Sequence, residues 1–261
     1  IASCLVGSEM CIRDRASKLC EIDAFLNLRD NSDGTLVMFP AAQRAGSVKN
    51  PIFHRWSWFN QFPNFNFIAI SDPSLYLYDI PGGWFLSGTK TDIIVQISKF
   101  LNTILDKIGS HTDETIFYGS SMGGFGAMMV ASEMPGVSVL VEVPQTDLRN
   151  YSVRGAVKMI ENEIYGGIKL TDLDKDLHKM ISVVDRFEHN SIIPETTIIT
   201  NPTDEGFEQC VDFVKKVVSI SQEMSFRGKI TLEVLPEDLG HKPSNPSDII
   251  PKILKNMSEK N

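Results

Sequence analysis

Gly119-Ser120-Ser121-Met122-Gly123 is the segment of this chain whose residue types and spacing could carry covalent chemistry. It reads G-x-S-x-G, between an apolar stretch, Thr115 to Tyr118, and a run of small residues, Gly123, Gly124, Gly126 and Ala127. A strand that feeds a helix through such a turn leaves the middle serine on a strained corner, its hydroxyl raised at the helix N-terminus. Gly119 and Gly123 remove Cβ atoms that would collide across the turn, and the later small residues let the helix lie close to a sheet. The free N–H of Met122 can then face negative charge developing on a substrate oxygen. The chemistry this predicts is acyl transfer through a serine nucleophile.

A serine hydroxyl at neutral pH needs a base and a group that orients the base. The order nucleophile, acid, base that accompanies this kind of elbow sets aside His54 and His111, which precede Ser121. His178 and His189 fall before the next strand pattern, whereas His241, in Leu235-Pro236-Glu237-Asp238-Leu239-Gly240-His241, follows the last one and is the expected base. For the acid, the loop Asn201-Pro202-Thr203-Asp204-Glu205-Gly206 follows a strand pattern. Asp204 is preferred to Glu205 because its shorter side chain stays near the strand end; Asp147 is a further alternative. Asp204 could also cap the helix that follows. A second oxyanion donor is expected from Phe39-Pro40-Ala41-Ala42-Gln43-Arg44. Pro40 has no N–H, so Ala42, or failing that Ala41, is the candidate. Arg44 is a candidate for an anionic group on the substrate.

The elements that must position these residues alternate between strand and helix patterns. Short apolar runs predict strands at Thr35 to Phe39, Phe65 to Ser71, Thr115 to Tyr118, Val137 to Val143, Thr196 to Thr200 and Ile230 to Leu235. Helical spacing of apolar residues predicts helices at Thr91 to Ile108, Met122 to Glu133, Glu205 to Gln222 and Asp248 to Met257. Strands separated by helices imply an α/β fold, a mostly parallel sheet covered on both faces. Asp147 to Ile193 breaks the rhythm with helical patterns at Val153 to Ile164 and Asp172 to Val184, and reads equally as a cap over the strand ends or as an enlarged crossover. Residues 16–261 are expected to form one domain. Ile1 to Arg15, IASCLVGSEMCIRDR, resembles translated sequencing-adapter read-through and is set apart as a leader; a short native strand or helix is its alternative, and a signal peptide fits poorly.

Composition narrows the function classes. The 261 residues are 42% hydrophobic with 15 Phe, ample for a core, and the formal net charge of −8 argues against general nucleic-acid binding. No apolar run reaches the roughly 18 residues that a membrane-spanning helix needs. The expected location is the cytoplasm. Cys20 and Cys210, the cysteines outside the leader, are too few and too far apart for a disulfide scaffold or zinc site and read as buried small hydrophobes. The methionines at 122, 128 and 129 read as core filler rather than a metal site. Trp58, within Pro51 to Trp58, and Trp84, within Pro81 to Phe85, sit in aromatic-rich loops that either pack the core or wall a substrate site.

Strand, elbow, acid loop and late histidine together resemble the α/β-hydrolase superfamily over roughly Asp33 to Met257. Within it, Phe39 to Ala42, Pro51 to Trp58 and Ile70 to Pro73 are similar to a bacterial group linked with polysaccharide gene sets. The resemblance implies a cofactor-free serine hydrolase acting on a carboxylic ester, such as an acyl group on a small molecule or glycan. It implies Ser121, Asp204 and His241 as the triad, with Met122 and Ala42 as backbone donors. An O-acyltransferase with the same triad, or a non-catalytic binding module on the same fold, are the alternatives.

Overall fold

The computed structural model describes residues 2–6, 9–17, 20–43, 51–89 and 91–259. The strands are β1 Ala2–Val6, β2 Glu9–Ser17, β3 Cys20–Asn27, β4 Thr35–Phe39, β5 Asn66–Ile70, β6 Thr115–Ser120, β7 Ser138–Glu142, β8 Ile192–Ile193, β9 Glu195–Thr200, β10 Phe226–Arg227 and β11 Ile230–Val234. The helices are α1 Ile93–Ile108, α2 Met122–Ala131, α3 Arg154–Met159, α4 His178–Ile181, α5 Val183–Asn190, α6 Phe207–Ile220 and α7 Pro246–Ser258. Nine strands form one sheet in the order β1-β2-β3-β5-β4-β6-β7-β9-β11, while β8 and β10 pair separately. From β5 to β11 every neighbour in the large sheet is parallel; β1, β2 and β3 join it as antiparallel strands. The α/β architecture expected from the sequence is therefore present, with a mostly parallel sheet. The expectation began the sheet at Thr35, with residues 1–15 set apart; the backbone instead carries the sheet through β1, β2 and β3.

Strand periodicity sorts the core into two layers. Val37, Phe39, Phe117, Val139, Val141 and Ile198 face one side with α1, α2 and α6, whereas Leu36, Met38, Ile116, Tyr118, Leu140 and Ile199 face the other with α7. Both faces are apolar because both are covered, as a parallel sheet requires. The chain runs from β4 to β5 on one side of β4, then crosses back through α1 to β6 on the other. The C-terminal ends of β4 and β6 thus flank a point where the strand order reverses, and loops leaving the two ends diverge to open a crevice.

The insertion between β7 and β9 packs into the α1–α2 layer through Leu148, Ile160, Ile181, Val183 and Phe187. Arg186, on α5 and fully buried, fastens it there. Its Nη1 donates to Asp92 Oδ2 at 2.7 Å and Nη2 to Asp92 Oδ1 at 3.0 Å, while Nε lies 3.0 Å from Glu133 Oε1, off the line a hydrogen bond needs. Asp92 caps α1 and Glu133 follows α2, so one guanidinium ties three helices. Arg186→Ala is expected to destabilise the protein by about 3 kcal/mol, because it strands two carboxylates beside a cavity. Urea denaturation followed by far-UV circular dichroism measures this; a midpoint equal to that of the parent would contradict it.

Cys210 is buried on α6, its thiol pushed up to about 12 by burial and then by the charge of Asp204. The side chain of Cys20 lies outside the described residues. Among the described residues no cluster of His, Cys, Asp and Glu could hold a metal ion, and no helix is long and apolar enough to cross a membrane.

Candidate active site

β6 ends in the elbow. Ser121 has φ 54° and ψ −124°, a conformation that L-residues avoid and that persists only when the surroundings over-determine it. A Cβ on Gly119 would come within 2.3 Å of Gly123 O, and one on Gly123 within 2.6 Å of Phe39 O, so the turn closes only over glycines. The Ser121 N–H donates to Glu142 O of β7 at 2.9 Å, and α2 begins at once with every residue buried. Gly124 meets Val141 of β7 and Pro144 just past its end, as expected for close helix–sheet packing. Gly126 serves a different contact from the expected one. It faces the ring of Phe85, 2.1 Å from where its Cβ would be, and so admits the loop 81–86 rather than the sheet.

The other two triad candidates come from the last parallel strands. Asp204 follows β9 and its side chain is fully buried; His241 follows β11 and its side chain is a quarter exposed. Ser121 Oγ lies 2.8 Å from His241 Nε2, and His241 Nδ1 lies 2.7 Å from Asp204 Oδ1. With Nδ1–H donated to the carboxylate, Nε2 keeps its lone pair for the serine proton. Thr200 Oγ1 donates to Asp204 Oδ2 at 3.3 Å, so the carboxylate is held at both oxygens. The hydrogen bond to Asp204, more than the opposing effect of burial, raises the pKa of His241 above the ordinary histidine value. Asp204 does not cap the next helix: Gly206 is the N-cap of α6, with no side-chain hydrogen bond. Asp147 caps a short 3-10 turn and pairs with Arg149, apart from the histidine.

The loops that carry acid and base are interlocked. Asn201 Nδ2 donates to Gly240 O at 3.0 Å, and Gly240 N donates to Thr203 Oγ1 at 3.0 Å. Ser244 N donates to the buried carboxylate of Glu142 at 2.8 Å, whose other oxygen accepts the Tyr118 hydroxyl. The base loop is therefore anchored to β7 and, through Tyr118, to β6.

On the other side of Ser121 stands Gln145, which the sequence reading missed. Its Nε2 donates to Ser121 Oγ at 3.2 Å, and its Oε1 accepts Trp84 Nε1–H at 3.0 Å, which fixes the amide the right way round. The available signal was its position just past the C-terminal end of β7, where chemistry collects in parallel sheets.

No family model and no curated protein matches the chain. Solved structures do. The capsule O-acetyltransferase of Neisseria meningitidis serogroup A aligns with a TM-score of 0.66 and 15% identity over 93% of this chain and 92% of that one. An S-formylglutathione hydrolase from Agrobacterium tumefaciens aligns at 0.64 and 12% identity over 100% and 98% of the two chains. Carboxyl esterase 2 from the mycorrhizal fungus Tuber melanosporum aligns at 0.63 and 15% identity over 96% and 86%. This chain has the α/β-hydrolase fold.

Within that α/β-hydrolase frame, the remaining expected site residues fall as follows. Met122 opens α2, and its N–H has no partner among the described residues. Ala42 is exposed on the loop after β4, beside Met122: a Cβ on Gly82 would lie 2.8 Å from Ala42 Cβ and 3.0 Å from Met122 Sδ. Trp84 is only 3% exposed and serves as the partner of Gln145, so it supports the candidate site from within the core. Trp58 is half-buried at the rim of the second core layer, its ring under the Arg55 guanidinium at 4.9 Å and 6.2 Å from the Tyr118 ring. Arg44 lies outside the described residues.

Proposed function

We propose that the chain is a serine-dependent hydrolase that cleaves carboxylic esters through an acyl-enzyme. The observation that carries this reading is the continuous relay from Ser121 Oγ to His241 at 2.8 Å and on to Asp204 at 2.7 Å. In the proposed reaction Ser121 Oγ attacks the ester carbonyl as its proton passes to His241 Nε2. Asp204 holds the imidazole in the useful tautomer and offsets its charge. The Met122 and Ala42 N–H groups take the oxyanion. Collapse of the tetrahedral intermediate breaks the bond to the alcohol oxygen, which leaves with the proton from His241. Water, deprotonated by His241, then attacks the acyl-enzyme, and the released serine recovers its proton.

The acyl-enzyme is common to hydrolysis and transfer, so an O-acyltransferase in which a sugar hydroxyl replaces water is the second reading. What favours it is the likeness to a capsule O-acetyltransferase over nearly the whole of both chains, which supports an acyl group on a glycan as the substrate class. Incubating the purified protein with p-nitrophenyl acetate tests both. Release of p-nitrophenol above the buffer rate is expected. Mass spectrometry of the products with and without an acceptor oligosaccharide then separates free acetate from acetylated sugar. A protein that is neither acylated nor active on a panel of short-chain esters would leave a non-catalytic binding module on this fold.

A further inference from the structure

The loop after β4 begins with four described residues, 40–43, and their main-chain donors can be accounted for one by one. Pro40 has none. The Ala41 N–H donates to His54 Nδ1 at 3.3 Å, and the Gln43 N–H donates to Pro81 O at 2.7 Å. Ala42 alone keeps an N–H without a partner among the described residues. The same peptide group that carries this N–H carries the Ala41 carbonyl, and in a planar trans peptide the two point in opposite directions. Gln43 Nε2 donates to Ala41 O at 3.0 Å and also lies 3.0 Å from His54 Nε2. His54 therefore touches one peptide of the loop directly and the next through the Gln43 amide.

We propose that His54 is a positioning residue for the oxyanion loop: its neutral imidazole, with the Gln43 amide, fixes the two peptides around Ala41 and so aims the Ala42 N–H beside Met122. The inference rests on the acyl-enzyme reading above. A neutral ring has one lone pair, on one nitrogen; on Nδ1 it accepts the Ala41 N–H, whereas an imidazolium has none and would face that N–H with one of its own. The surroundings keep it neutral, since burial and then the charge of Arg55 push the His54 pKa down. The opposite side of the loop is closed by Gly82, against which Ala42 packs. Loop 81–86 is held in turn by the buried Asp72, which accepts from Phe85 N at 3.3 Å. The Ala42 N–H is thus set between two anchored segments.

The test is steady-state hydrolysis of p-nitrophenyl acetate by the parent, S121A, His54→Leu, His54→Asn and Gln43→Leu, each with a thermal melt. Asn carries an acceptor close to where Nδ1 sits. H54L is expected to lower kcat about 10- to 100-fold at unchanged KM, the scale of a displaced catalytic donor. H54N should recover to within about threefold of the parent, and Q43L should lie between them. Should H54L fail to fold, H54N and Q43L carry the same comparison. Parent-like kcat in H54L and Q43L, or an H54N as slow as H54L with a parent-like melt, would overturn the assignment. Equal turnover by the parent and S121A would instead remove the acyl-enzyme reading on which it stands.

Discussion

Ser121→Ala is expected to abolish covalent labelling by a fluorophosphonate probe and to lower ester turnover about 10^4-fold or more. The expectation follows from what the hydroxyl alone supplies. Oγ donates to His241 Nε2 at 2.8 Å and accepts from Gln145 Nε2 at 3.2 Å, and neither residue takes its place in forming the acyl bond. The proposed oxyanion donors are main-chain groups and survive the substitution, so a residue of rate above the buffer background is expected to remain. The substituted side chain is smaller and keeps its Cβ in the same strained corner, so the fold should be unaffected. Mass mapping of the labelled peptide checks the site directly. Label that persists on the alanine variant, or on a peptide lacking residue 121, would take Ser121 out of the reaction.

Asp204→Asn is the second large effect, about 10^4-fold in kcat, because an amide in place of the carboxylate favours the wrong imidazole tautomer and cannot offset the imidazolium charge. Its pH signature distinguishes it from mere loosening of the loop. The base must be neutral to take the serine proton, and the hydrogen bond to Asp204 raises the pKa of His241. In the parent, kcat/KM should therefore rise with pH along a limb centred above about 6.5, the ordinary histidine value. The asparagine variant should show that limb moved to lower pH. Stability runs the other way. The imidazolium–carboxylate pair supports the native state fully below the unfolded histidine pKa and loses that support as pH rises through the raised one. Urea midpoints of parent and variant should consequently differ more in mildly acidic than in alkaline buffer. A limb that stays in place in the variant would detach Asp204 from His241.

Much of the fold is legible from residue patterns because both faces of the sheet are covered. A strand buried on two sides must be apolar throughout, and the runs at Thr35, Phe65, Thr115, Val137 and Thr196 announce themselves for that reason. β3 does not. It reads Cys-Glu-Ile-Asp-Ala-Phe-Leu-Asn, with Asp23 and Asn27 buried among its apolar residues, so its pattern is broken by polar groups that the fold encloses. Asp23 accepts the Tyr76 hydroxyl, a contact between residues far apart in sequence that no local pattern reveals. The site divides similarly. Ser121 is marked by its glycines, and His241 and Asp204 by following the last strands. Gln145, His54 and the Asn201–Thr203–Gly240 interlock act through tertiary hydrogen bonds, and nothing in their immediate neighbours distinguishes them. His54 is set aside as a base because it precedes the nucleophile, which has no bearing on what it holds.

The site is assembled from two parts of the sheet that differ in burial. Ser121 and Met122 belong to the centre, where β4, β6 and α2 are buried along their whole length. Asp204 and His241 belong to the flank, and β11 is the outermost strand, half-buried along most of its length and exposed at Val234. Segments with little buried surface detach at lower free energy than the whole domain. Because the acid and base loops are laced to each other, the two would come away together. On warming, the centre would keep Ser121 and the Met122 N–H after the contacts to His241 had gone, so the proposed activity would be lost while most of the sheet still stood.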